Sequence, residues 1–176
     1  MKYVSIGVLL SLLLVMPVVA GADVLKVAPT QAVILPGDGS GVTRVALLFD
    51  LSGMRGGSGR KINAAHLQWS ITGVSANERS EFFLHEATSA WTEAQVAAEG
   101  NIDYTEDPVA GWEIEPLDYE RNGGLVKLDV KKLIQEWCET PSGNYGVVVA
   151  TTDLSSLTLT NQLENARLVV RYAFYK

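Results

Sequence analysis

The sequence predicts an all-β protein, an antiparallel β-sandwich or barrel carrying one or two short helices. Three observations carry this. Short apolar runs recur along the chain, separated by clusters of Gly, Ser, Asn and Asp. One run, INAAHLQWSIT, alternates strictly: Ala65, Leu67, Trp69 and Ile71 share one face, and His66, Gln68 and Ser70 the other. That period of two marks a half-buried strand. No period of 20 to 50 residues appears, which argues against a solenoid or propeller.

The first stretch is expected to be a leader and not part of the fold. Lys2 is the only charge before Asp23, a long apolar run follows it, and Ala20, Gly21 and Ala22 end the segment after Pro17. Residues 1–22 read as a secretory signal peptide, so residues 23–176 are expected to form one exported domain, periplasmic or extracellular. No later stretch is long and apolar enough to span a bilayer. Losing Lys2 with the leader leaves 13 basic residues of the original 14 against 20 acidic ones, a formal charge of −7. An acidic chain is a poor partner for nucleic acid or an anionic membrane surface. The lone Cys138 can form no internal disulfide, and beside Trp137 it reads as a small buried apolar residue.

The remaining elements follow in order. DVLKVAP and QAVIL are strands, and PGDGSG, with Asp38, is a turn. VTRVALLFDLS, ending at Asp50, is a central strand, GMRGGSGRK a surface loop, INAAHLQWSIT the alternating strand and EFFLHEA another. WTEAQVAAE is a weak helix signal, with Thr92 and Gln95 at capping-box spacing. Residues 98–124 are polar and irregular, as functional loops often are. LVKLDV is a strand. Val130, Leu133, Ile134 and Trp137 then fall at i, i+3, i+4 and i+7, one face of a helix, with Asp129 placed to cap it and Pro141 and Gly143 to stop it. Such a short helix needs a sheet to lie against, so it is expected to plug one end of the sandwich. YGVVVATT, LTLT and ARLVVRYAFYK complete about nine strands.

Catalytic signals are weak. His66 and His85 lie in predicted strands without other ligands at metal-binding spacing, and no nucleophile-elbow or phosphate-loop spacing occurs. A lyase or hydrolase would have to draw on residues 98–124, and a non-catalytic role is expected. Sugar binding needs flat aromatic faces flanked by carboxylates or amides. Tyr104, Trp112 and Tyr119 are the candidates, near Asp103, Glu106 and Asp118; the alternative places Trp112 in the core and the tyrosines in ordinary loops. Trp69, Trp91 and Trp137 fit core positions. Asp38 and Asp50 are candidate Ca2+ ligands, or else accept hydrogen bonds from turn backbone. The acidic charge disfavours an anionic glycan unless calcium bridges it or Arg55, Arg60 and Lys61 form a local basic rim.

Several stretches carry a likeness to a known family: RVALLFDLS at 44–52, INAAHLQWSI at 62–71, HEATSAWTEAQV at 85–96, LDVKKLIQEWCETPSGNYGVVV at 128–149 and ARLVVRYAF at 166–174. Together they resemble the DNRLRE domain family, similar to disaggregatase-related domains and to a family of carbohydrate-binding modules. The most specific pattern is Asp-Val, a short helix ending in Trp, then Asn-Tyr-Gly; the Trp-Thr-Glu at Trp91 is next. The resemblance covers roughly the whole of residues 23–176 and implies a jelly-roll β-sandwich in a secreted or cell-surface protein, binding polysaccharide. AQVAAEGNIDY departs from the family's usual continuation after Trp-Thr-Glu. A different role is a structural subunit of an extracellular assembly, self-associating through the edge of the apolar C-terminal strand.

Overall fold

The computed structural model describes residues 23–36, 39–54, 60–71 and 79–174. The candidate leader and Asp38 lie outside them. Among the described residues nine strands form two antiparallel sheets. They are β1 (Asp23–Val27), β2 (Pro29–Leu35), β3 (Thr43–Phe49), β4 (Arg60–Ser70), β5 (Ser80–Glu86), β6 (Ala110–Ile114), β7 (Leu125–Asp129), β8 (Val147–Thr151) and β9 (Arg167–Phe174). One sheet runs β1-β9-β4-β7 and the other β2-β3-β8-β5-β6. With the edge strand β2 set aside, this is the strand order of a jelly roll, an all-β sandwich as the sequence predicts.

The core lies between the sheets. Leu67, Trp69, Leu128 and Leu168 from the four-stranded sheet meet Leu47, Phe82, Leu84 and Val149 from the other. Trp69 meets Phe82 edge to face, with ring centroids 5.4 Å apart. On β4 the alternation holds as read: Ala65, Leu67 and Trp69 are buried, while His66 and Gln68 face outward.

Four helices are present among the described residues: α1 (Glu93–Glu99), α2 (Pro116–Asn122), α3 (Lys131–Glu139) and α4 (Ser156–Leu163). The Thr92 hydroxyl accepts from the Gln95 N–H and caps α1, as its spacing predicts. Helix α3 buries Leu133, Ile134 and Trp137 against the sandwich end. Two expectations are corrected. LTLT is not a strand but part of α4: Ser155 caps it by accepting from the Thr158 N–H, and Leu159 and Leu163, four residues apart, are buried on one helical face. The alternation within LTLT has a strand's period, and the helix shows only when the Ser155 cap and Leu163 are read with it. The C-terminal strand β9 has no open edge, because it pairs with β1 on one side and β4 on the other. Residues 98–124 are also more regular than they read, holding β6 and α2; Asp118 closes a capping box with Glu115 at the start of α2.

The outer face of the five-stranded sheet has its own small core, in which Trp91, Val96 and Ile102 cover Ala46 and Val148. The chain is clasped here. The Trp91 indole N–H donates to the Tyr145 carbonyl at 2.7 Å, and the Asn144 side-chain amide donates to the Phe49 carbonyl at 3.0 Å. Gly146 adopts φ +89°, and a Cβ there would stand 2.2 Å from the Leu47 carbonyl oxygen, so only glycine fits.

Candidate functional site

Trp112 stands on β6, opposite Phe82 on β5, so its side chain points the same way as a core residue. It is nevertheless 37% exposed. The reason is topological. Strand β6 is the edge of the five-stranded sheet and β7 the edge of the four-stranded one, and among the described residues no further strand continues the sheet past β7. The two edges leave a cleft of about 680 Å³. Trp112 and the backbone of 109–111 form one wall, and His66, Lys127, Asp129, Lys131 and Lys132 form the other. A smaller space of about 210 Å³ shares Val109, Asp129 and Lys132 with it and continues toward Glu86 and Glu136.

Each polar wall residue has a structural reason for its place. The alternation of β7 buries Val126 and Leu128 and turns Lys127 and Asp129 outward. The Asp129 carboxylate accepts from the Lys131 N–H at 2.9 Å and starts α3. The apolar face of α3 then anchors it, helped by the Trp137 indole N–H donating to Glu86 at 3.0 Å. Lys131 and Lys132 are left in the first turn, exposed.

The charges of α3 run against its dipole. The first turn holds two lysines and no acid; Glu136 and Glu139 sit toward the end, where no basic residue balances them. Each misplaced exposed charge costs about 0.3–1 kcal/mol near a helix terminus. The i,i+4 pair of Lys132 and Glu136, 3.8 Å apart, has the less favourable orientation and recovers little. Among the described residues Lys127 and Lys131 form no ion pair. Stability does not explain these lysines, and local rules are most often broken at functional positions.

His66 is held below its ordinary pKa, by burial first and then by the positive charge of Lys127 and, less, Arg171; Asp129 opposes them. At neutral pH the imidazole is therefore neutral. The cleft presents an indole face, three ammonium groups and a neutral imidazole, against one carboxylate already engaged with backbone. In a chain with a net charge of −6 this is a local reversal of sign.

The expected trio of aromatics is not gathered in the cleft. Tyr104 is half-buried, bridges Ala87 and meets His85 edge to face at 5.4 Å in the clasp region, away from the cleft lining. Tyr119 falls on α2. Asp103 accepts from the Ser89 hydroxyl. The Asp50 carboxylate accepts from the Ser52 N–H at 2.8 Å and from its hydroxyl, the turn-stabilising alternative. Among the described residues no group of three or more His, Cys, Asp or Glu side chains gathers as a metal site would require. Lys61 is exposed near the start of β4 and does not line the cleft. Of the residues the sequence singled out for a sugar site, Trp112 lines this cleft; Lys127, Lys131 and Lys132, which also line it, were not among them. The available signal was the two lysines at the start of a predicted helix, where acids are favoured.

No protein-family model matches the sequence, and no curated protein matches it.

Proposed function

We propose that this chain is an exported, non-catalytic carbohydrate-binding domain of the DNRLRE type that takes an acidic polysaccharide in the β6–β7 cleft. The observation that carries the reading is the exposed Trp112 facing three lysines in an otherwise acidic protein. The indole offers a flat surface for the C–H face of a sugar ring. The ammonium groups offer charge-assisted hydrogen bonds to carboxylate or sulfate. The three lysines stand in for the calcium, or for the rim of Arg55, Arg60 and Lys61, that an anionic glycan needs on an acidic chain. No bond is made or broken on this reading, and the site's task is to hold a chain.

Retention on immobilised polyuronate, compared with a neutral glucan, tests it. The protein is retained on polyuronate and released by salt, and Trp112→Ala elutes early while still unfolding cooperatively. Equal retention on both supports, or on neither, removes the proposal.

A further inference from the structure

The cleft is one end of a larger surface. The four-stranded sheet has an outer face that its alternation turns to solvent. Its cross-strand rows can be read from the register. Lys26 on β1 stands beside Val169 on β9, then His66 on β4 and Asp129 on β7. The next row holds Arg167, Gln68 and Lys127. On the other side Val24, Arg171 and Ala64 form a third. Lys26, Lys127 and Arg171 are exposed, and Val24 is 53% exposed, so the face is open. Among the outward positions of its described strand residues Asp129 is the one carboxylate, and it is occupied at the start of α3. Arg167 donates to the Glu164 and Ala166 carbonyls, while Lys26 and Arg171 form no ion pair among the described residues.

The opposite side of the molecule has the opposite sign. Glu81 and Glu113 flank Arg79 on the five-stranded sheet, and Glu93, Glu99 and Asp103 lie on or beside α1. The basic face is thus a local feature rather than an average property of the surface. It is also continuous with the cleft, because His66 and Lys127 belong to both.

We propose that the outer face of the four-stranded sheet is an extension of the cleft, and that it binds the same acidic polysaccharide along its length, with Lys26, Arg167 and Arg171 as further contacts. This rests on the reading of the cleft given above. Four strands span about 14 Å from β7 to β1. A chain stacked on Trp112 and passing Lys127 therefore meets Arg167, Arg171 and Lys26 only when it is several sugars long. Separate weak contacts along one chain add through effective concentration, so affinity rises with ligand length.

The test is calorimetric titration of the purified protein with a uronate disaccharide, a uronate oligosaccharide long enough to cross the sheet, and vesicles of phosphatidylglycerol. Wild type binds the long chain more tightly than the disaccharide. Lys26→Gln with Arg171→Gln lowers affinity for the long chain on the order of tenfold, as the loss of two exposed charge contacts allows, and leaves the disaccharide unchanged. Trp112→Ala weakens both. If the double variant binds the long chain as wild type does, the extension is wrong and the cleft reading stands. If wild type binds neither sugar, both readings fall. Binding to vesicles but not to uronate would assign the face to a lipid surface, and salt-sensitive self-association in sedimentation without sugar binding would assign it to a second copy.

Discussion

The clasp around Trp91 and the cleft around Trp112 both join a tryptophan to polar groups, and they differ in what those groups do. At the clasp the side-chain polar atoms of Trp91 and Asn144 meet protein partners: Trp91 donates to the Tyr145 carbonyl, and Asn144 donates to the Phe49 carbonyl and accepts from the Gly146 N–H. Trp91 is 7% exposed. At the cleft the indole is a third exposed, and two of the three lysines beside it lack an ion-pair partner among the described residues. The clasp is satisfied within the chain. The cleft is a set of donors and a flat face, and on the proposed reading their partner is an external ligand. Both the Trp-Thr-Glu and the Asn-Tyr-Gly patterns that suggest a family fall in the clasp, so they report on the fold and not on the ligand.

The comparison can be broken in four places. The largest effect is expected at the clasp. Gly146→Ala forces a Cβ onto the Leu47 carbonyl at positive φ and should cost more than about 3 kcal/mol in urea unfolding. A wild-type midpoint would show that the close approach is not real. At the cleft, Trp112→Ala should reduce polyuronate affinity on the order of tenfold or more in a protein that still folds, with a stability loss smaller than that of Gly146→Ala because the indole is 37% exposed. Unfolding instead would make Trp112 a core residue like Trp91. Trp91→Phe removes one donor from a part-buried carbonyl and should lower stability by about 1–2 kcal/mol without touching sugar binding.

The smallest effect concerns pH. The folded state holds the pKa of His66 below the ordinary 6.5, so the unfolded chain takes up the proton first as pH falls. The stability this contributes is present above pH 6.5 and lost as pH drops through the folded pKa. Binding should move the other way, since an anion in the cleft favours imidazolium. Polyuronate affinity therefore rises modestly from neutral toward acidic pH, within the range where the uronate stays ionised. His66→Gln should flatten that rise; an unchanged slope would remove His66 from the site.

Much of the fold was legible because burial writes a period into a strand or helix. The alternation of 65–71 and the helical spacing of Val130, Leu133, Ile134 and Trp137 both identify elements the structure contains. LTLT misled because Leu157 and Leu159 stand at alternate positions, as in a strand, while the partner that Leu159 has on the helix, Leu163, lies beyond those four residues; Ser155 was the missing sign. The cleft was less legible. Trp112 carries the inward direction of a core residue, and only the order of strands shows that β6 and β7 are edges. Tyr104 could not be separated from it by sequence, because which side of a sheet a loop residue covers is settled by the chain's path. The lysines did leave a trace, a helix whose charges oppose its dipole.

That opposition supplies the most direct test. Lys131→Glu with Lys132→Glu brings the first turn of α3 into agreement with its dipole and removes two of the cleft's three ammonium groups. Thermal unfolding and polyuronate titration would be measured on the same preparation. The account predicts a protein no less stable than the parent, because the gain of about 0.3–1 kcal/mol per charge at the helix start outweighs the few tenths lost when the Lys132–Glu136 pair becomes a like-charge pair, and one whose polyuronate binding is largely lost. A variant that is destabilised, or that binds polyuronate as the parent does, would contradict the claim that these lysines are there for a ligand.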